Sequence, residues 1–163
     1  MSAIQYILDH KSIQLIIQRL SYQIAEDHIG ISELGLVGLN ERGSYIANLL
    51  IGELKSVNPS LKTSFVRLDT EGEHLEFHYE LNTDVKHLVI VDDVLNSGRT
   101  AFLAAAHCYH KGLKSMEMAF LAVREHRSFP VYARYTGRSI ATTIQEHVYF
   151  DNTNGEELSV YLK

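Results

Sequence analysis

A single cysteine, Cys108, stands in the whole chain, so no internal disulfide can form and a reducing compartment is expected. It lies in the apolar stretch AFLAAAHCYH, which points to a buried, inert thiol. Basic residues are in deficit: 15 Lys and Arg against 20 Asp and Glu give a net charge of −5. A dedicated nucleic-acid binder would carry the opposite balance. No apolar run is long enough to span a bilayer. The N-terminal MSAIQYILDHK lacks the cationic start and long apolar core of a secretion signal, so a cytoplasmic protein is expected. Internal repeats, low-complexity tracts and Pro/Ser-rich linkers are also missing. Apart from His107 and His110, the histidines show no metal-ligand spacing.

What is present is the composition of an ordinary globule. The chain has 163 residues, 45% of them hydrophobic, enough for one domain with a core. Ile13, Ile16, Ile17, Leu20, Ile24 and Ala25 recur at helical spacing, with Asp9 as N-cap and Gly30 as stop. LGLVGL (Leu34 to Leu39) reads as a buried strand, NERG as a tight loop and Ser44 to Lys55 as an amphipathic helix. TSFVRLD is another strand, and HLEFHYEL alternates like a half-exposed one. HLVIVDD is a nearly continuous apolar run, as in a central parallel strand. Thr100 to His110 reads as a helix and SMEMAFLAV as a strand; VYARY, HVYF and LSVYL are shorter strand-like pieces. Helices alternating with buried strands predict the α/β class with a mostly parallel central sheet flanked by helices.

Ligands of such sheets bind at the carboxyl ends of the strands. Two loops are expected there, Asn40 to Gly43 and Asp93 to Thr100. The second lies in VIVDDVLNSGRT. Its polar turn before a helix N-terminus offers open N–H groups to a phosphate, and Gly98 lets the backbone approach closely. The spacing is neither that of a Walker loop nor that of a dinucleotide fingerprint. Two adjacent acids would repel a lone phosphate. They make sense for a ligand that also brings hydroxyls or a divalent cation, as a ribose 5-phosphate does.

VIVDDVLNSGRT resembles the phosphoribosyl-pyrophosphate (PRPP) binding motif of type I phosphoribosyltransferases. ILDHKSIQLIIQRLSYQIAEDHIG, GLVGLNERGSYIANLLIGEL and REHRSFPVYARYTGRSIAT are similar to the bifunctional pyrimidine operon attenuator/uracil phosphoribosyltransferase family. That resemblance implies the type I phosphoribosyltransferase fold as one domain over residues 1–163, with a core over about 1–123 and a small C-terminal hood over about 124–163. It implies PRPP-dependent transfer to a nucleobase, a pyrimidine such as uracil, with Mg²⁺ accompanying PRPP, in a homodimer. Asp92 and Asp93 would hold the ribose hydroxyls and the Mg²⁺ of PRPP. Asn96, Ser97, Gly98, Arg99 and Thr100 would cradle the 5-phosphate. Asn40, Glu41, Arg42 and Gly43 match the pyrophosphate loop, and Val123 and Arg124 fall near the base.

The chain departs from that family at identifiable places. Asn40 and Glu41 stand where the pyrophosphate loop usually has lysine and threonine. The expected lid, Thr70 to Val85, holds no Lys or Arg but carries Glu71, Glu73, Glu76, Glu80 and Asp84, with His74 and His78 as its only candidate cations. Val123 and Glu125 replace an Asp and a Gly of the base site, and Asn96 takes the place of an acid in purine-type relatives. Two other readings stay open beside the enzyme: a catalytically weak PRPP or nucleotide sensor, and an RNA-binding regulator. The second would use Arg19, Arg127, Arg134 and Arg138, with Lys11 and Lys114 nearby. It is disfavoured by Glu26, Asp27 and the Tyr22 found where the family usually has histidine.

Overall fold

The computed structural model describes residues 4–141, 146–153 and 157–163. In chain order these form β1 (Gln5–Leu8), α1 (His10–Asp27), β2 (Glu33–Leu39), α2 (Asn40–Val57), β3 (Lys62–Glu71) and β4 (His74–Phe77). There follow β5 (His87–Leu95), α3 (Arg99–Cys108), β6 (Ser115–Arg124), β7 (Tyr135–Ile140), β8 (Val148–Asp151) and β9 (Ser159–Leu162). One sheet runs β4-β3-β2-β5-β6-β7, parallel throughout except for β4, which pairs antiparallel with β3. A second, antiparallel sheet runs β1-β9-β8.

The apolar runs of the central strands follow from burial on both faces. Leu34, Leu36, Val89 and Val91 pack with α1 and α2, while Val37, Leu39, Leu88 and Ile90 pack with Ala101, Ala104 and Cys108 of α3. Cys108 is fully buried and its thiol is pushed up to about 12 by burial, the inert state expected for it. Asp9 caps α1 by accepting the Ser12 N–H at 2.8 Å. Phe150, Val160 and Leu162 close the second sheet onto the α1–α2 side of the core.

Several expectations are corrected. NERG is not a loop: α2 begins at Asn40, so Glu41, Arg42 and Gly43 lie in its first turn. β5 continues to Leu95, which puts Asp92 and Asp93 inside the strand and shortens the loop to Asn96–Gly98. The alternating HLEFHYEL is strand only over His74–Phe77, with one more bond from the His78 N–H to the Arg67 carbonyl at 3.0 Å, and Tyr79 is left 78% exposed. In place of VYARY, the strand is Tyr135–Ile140, at the edge of the six-stranded sheet. β1, within the span expected to be core, pairs instead with β9 in the small sheet. α1 lies directly on β7, with Gly137 at the closest approach. A Cβ on Gly137 would stand 2.8 Å from Ile16 Cγ2 and 2.1 Å from the Leu121 carbonyl oxygen.

Polar bonds fix α1 to that strand. Arg19 donates to the carbonyls of Thr136 and Gly137 at 3.1 and 2.7 Å. Arg134 grips Asp27 with two hydrogen bonds of 3.0 and 3.1 Å, and the Tyr135 hydroxyl donates to the same carboxylate at 3.0 Å. Beside them His28 is 2% exposed, its Nδ1 2.8 Å from the Ile24 carbonyl oxygen and its Nε2 3.5 Å from Glu117. Burial opposes charge on this ring, but Glu117, the Ile24 carbonyl and Asp27 outweigh it and raise its pKa. A folded pKa above the unfolded value of about 6.5 adds stability that is present below that value and fades as pH rises through the folded one. His87, edge-on to His28 at 6.1 Å, is shifted the other way by burial and by the His28 charge. The His28→Gln variant is therefore expected to be less stable than wild type by on the order of 1 kcal/mol at about pH 5.5, and by less at about pH 8. Urea titrations at the two pH values measure this, and a constant difference would show that the ring stays neutral.

Candidate functional site

β2 and β5 are neighbours, but the chain leaves them in opposite directions. From β2, α2 leads to β3 on one side; from β5, α3 leads to β6 on the other. The two connections diverge above the strand ends and leave a crevice, the place where open α/β sheets bind ligands. A cavity of about 390 Å³ lies there. Its walls are Asn40, Glu41 and Arg42 of α2, Asp92 to Leu95 of β5, Asn96 to Ala101, and Phe120 of β6.

Both helices point their N-termini at this cavity, and neither N-cap residue, Leu39 or Gly98, supplies a capping side chain; in α3 the Ser97 hydroxyl accepts the Arg99 N–H at 3.3 Å. The other first-turn amides and the positive ends of the dipoles suit an anion. Gly98 makes the turn into α3 in the left-handed region (φ 85). The turn is braced from behind, because the Ser97 carbonyl accepts the Ser128 and Phe129 N–H groups at 2.9 and 3.1 Å. On the other side Gly43 lets α2 settle against β5. A Cβ there would meet the Val91 carbonyl oxygen at 2.5 Å and the Asp92 carboxylate at 3.1 Å.

Between the two helix N-termini stand the acids. Asp93 donates its N–H to Asp92 Oδ1 at 2.9 Å, and Arg42 Nη1 lies 3.8 Å from Asp93 Oδ2. The Asp92 carboxyl is held well above the usual carboxylate range, first by burial and then by the neighbouring Asp93. The pair is thus short of positive charge and suits hydroxyl donors or a cation.

Some expected site residues have other duties. Asn40, at φ 53, spends its amide on β3: it donates to Thr70 Oγ1 at 2.9 Å and accepts the Thr70 N–H at 2.8 Å. Glu41 is exposed at the rim. Val123 is 5% exposed in the α3-side core, and neither it nor Arg124 lines the cavity; Phe120 does. The expected lid begins as a short hairpin of β3 and β4, whose tip residue Glu73 forms an ion pair with Arg99. In the hairpin stem Asp69 bridges Arg67 and His78 at 2.7 and 2.5 Å.

Asp151, the last residue of β8, does not line the cavity but feels the charge of Arg42, which does. Its carboxyl is held below the usual range by the Thr153 hydroxyl and N–H, at 2.6 and 2.9 Å, and by the charge of Arg42. The signal in the sequence was an acid ending an apolar strand, the same pattern that marks Asp92.

Residues 4–151 match the family model described as phosphoribosyl transferase domain. The chain belongs to that family. Two curated relatives are each named bifunctional protein PyrR. The one from Haemophilus ducreyi is 33% identical over 154 residues, covering 87% of this chain and 86% of the relative. The one from Limosilactobacillus reuteri is 31% identical over 167 residues, covering 93% and 94%. Among solved structures, a hypoxanthine-guanine phosphoribosyltransferase from Bacillus anthracis superposes with a TM-score of 0.70 at 18% identity, covering 86% of this chain and 85% of that one. A hypoxanthine phosphoribosyltransferase from Trypanosoma cruzi, in complex with the product IMP, gives 0.70 at 17% identity, covering 85% and 81%. At such identity these two bear on the fold alone.

For a phosphoribosyl transferase domain, the question of metal can be put to the residues. Among the described residues no group of three or more His, Cys, Asp or Glu is arranged to hold an ion. Asp92 and Asp93 fit Mg²⁺ in its other habit, bound by one or two carboxylates together with the oxygens of a phosphorylated substrate. Two of the arginines considered for RNA, Arg19 and Arg134, are committed to bonds within the fold. No helix among the described residues is long and apolar enough to cross a membrane.

Proposed function

We propose that this phosphoribosyl transferase domain moves the phosphoribosyl group of PRPP onto a pyrimidine base, uracil being the first candidate. One observation carries the assignment: two helix N-termini, neither with a capping side chain on its N-cap residue, flank an acidic pair inside one cavity at the sheet's switch point. Asn96 to Thr100 cradle the 5-phosphate, with Gly98 giving the close approach. Asp92 and Asp93 accept hydrogen bonds from the ribose hydroxyls and hold Mg²⁺. Arg42 and the Gly43 N–H take the pyrophosphate. The bond from C1 to the pyrophosphate oxygen breaks as a base nitrogen forms the new bond to C1. Positive charge develops on the sugar and negative charge on the leaving group, so positioning and electrostatics supply most of the acceleration. Mg²⁺ held by Asp92 and Asp93 together with PRPP would supply positive charge to offset that of the departing pyrophosphate. Asn96 offers no carboxylate to a purine nitrogen, which favours a pyrimidine. The assembly proposed is a homodimer, as in the resembled family.

The reading of this protein as an RNA-binding regulator is supported less, because Arg19 and Arg134 are engaged internally and the chain is acidic. The deciding experiment supplies PRPP and Mg²⁺ with uracil, cytosine, hypoxanthine or guanine in turn and measures nucleotide and pyrophosphate. UMP formation is expected. Nucleotide from purines alone would overturn the pyrimidine assignment. Thermal stabilisation by PRPP without base-dependent pyrophosphate release would replace the enzyme with a sensor.

A further inference from the structure

Glu73 stands at the tip of the β3–β4 hairpin, next to Gly72 in the left-handed region (φ 63). Its carboxylate accepts a hydrogen bond from the guanidinium of Arg99, 26 residues further along the chain. Arg99 opens α3 and lines the cavity at the phosphate turn. The hairpin that carries Glu73 is held on both strands. Asn40 clamps Thr70 just before the tip, and Phe77 of β4 lies against His107 of α3 with ring centroids 5.0 Å apart. The carboxylate is therefore presented to Arg99 by a braced element.

We propose that Glu73 is an internal competitor for Arg99 at the rim of the phosphate site, holding its guanidinium until a phosphate monoester displaces it. This rests on the reading of Asn96 to Thr100 as the phosphate turn. Carboxylate and phosphate oxygens are alternative acceptors for the same guanidinium. A phosphate dianion carries more charge and also reaches the open amides of α3, so it wins the exchange. A neutral nucleoside or base has nothing to exchange and leaves the hairpin docked. Binding of the ester is then a substitution of one anion for another, and its affinity is lowered by the contact it must break. Glu73 and Arg99 are 79% and 53% exposed, which bounds the effect: such pairs are weak and screened by salt.

Ribose 5-phosphate is the probe, titrated calorimetrically into wild type, Glu73→Gln, Arg99→Ala and the double variant. Glu73→Gln is expected to bind about two- to fivefold more tightly than wild type at low ionic strength, with the gap closing at high salt. In the Arg99→Ala background the same substitution should gain clearly less, because there is no guanidinium left to release. Hydrogen exchange adds a conformational readout: ribose 5-phosphate should speed exchange at the hairpin tip in wild type but not in Glu73→Gln. Equal affinities of wild type and Glu73→Gln, or an equal gain with and without Arg99, would overturn the proposal while leaving the phosphate turn intact. Failure of every variant to bind ribose 5-phosphate would overturn the phosphate turn itself, and the proposal with it.

Discussion

The Asp92→Asn, Asp93→Asn double variant is expected to fold normally and to lose all thermal stabilisation by PRPP with Mg²⁺. For wild type, a ligand at about a hundred times its dissociation constant adds about 2.7 kcal/mol, a shift of several degrees in Tm for a chain of this size. The variant should show no shift, and base-dependent nucleotide formation should fall by about a hundredfold or more. Its stability without ligand should move the other way. Asp92 has a folded pKa raised by burial and by Asp93. An ionised carboxylate there lowers stability increasingly as pH rises above about 3.9, the unfolded value. The neutral amides remove that repulsion, so at neutral pH the unliganded variant should match or exceed wild type. Differential scanning fluorimetry with and without PRPP measures both effects. A retained ligand shift would mean that the acids do not meet the ribose or its metal.

Gly43→Ala should destabilise the protein, against the helix propensity of the residue introduced. In an exposed helix, alanine is better than glycine by about 1 kcal/mol. Gly43 lies in the first turn of α2, but a Cβ there would press on the Val91 carbonyl oxygen at 2.5 Å and on Asp92 Cα at 3.1 Å. Neither atom is the end of a flexible side chain. Lifting α2 off β5 should cost about 1–3 kcal/mol, which outweighs the propensity gain. The same shift displaces Arg42 and the Gly43 N–H, so transfer should drop by about tenfold or more. Gly52 supplies the control. It lies in the same helix, and a Cβ there meets nothing within 4 Å. Gly52→Ala should raise stability by about 1 kcal/mol and leave transfer unchanged. Urea midpoints for both variants, with rates of UMP formation, make the comparison. A Gly43→Ala protein as stable and active as Gly52→Ala would show that α2 does not rest on β5 as described.

The Asp92–Thr100 stretch shows how far local sequence reaches. Its strand, acids, glycine turn and helix are all contiguous, and each has a local physical signature: an apolar run, a charge pair, a left-handed glycine, a helical spacing. The same holds for the apolar cores of β2, β5 and β6, and for α1 with its Asp9 cap. The start of α2 is not legible in the sequence, because nothing local says that Asn40 turns the chain at φ 53. That conformation is secured by Thr70, 30 residues away, through two bonds to the Asn40 amide.

What lay outside the reach of sequence was every feature whose partner is distant in the chain. β1 is four residues with no distinctive pattern, and it becomes a strand only because β9, at the far end of the chain, offers its edge. β7 lies just after the strand-like VYARY, and its place is set because α1 covers Gly137 and Asp27 grips Arg134 and Tyr135. Asp151 comes near Arg42, and Glu73 reaches Arg99, only after the sheets have formed. Periodicity and turn chemistry act between residues within a few positions of one another, so the sequence by itself determined the α/β alternation and the strand, acid pair, glycine turn and helix that stand together at Asp92–Thr100. Which charges face each other across the cavity was decided by strand order and helix packing, because Coulomb forces and hydrogen bonds depend on distance in space and are blind to distance along the chain.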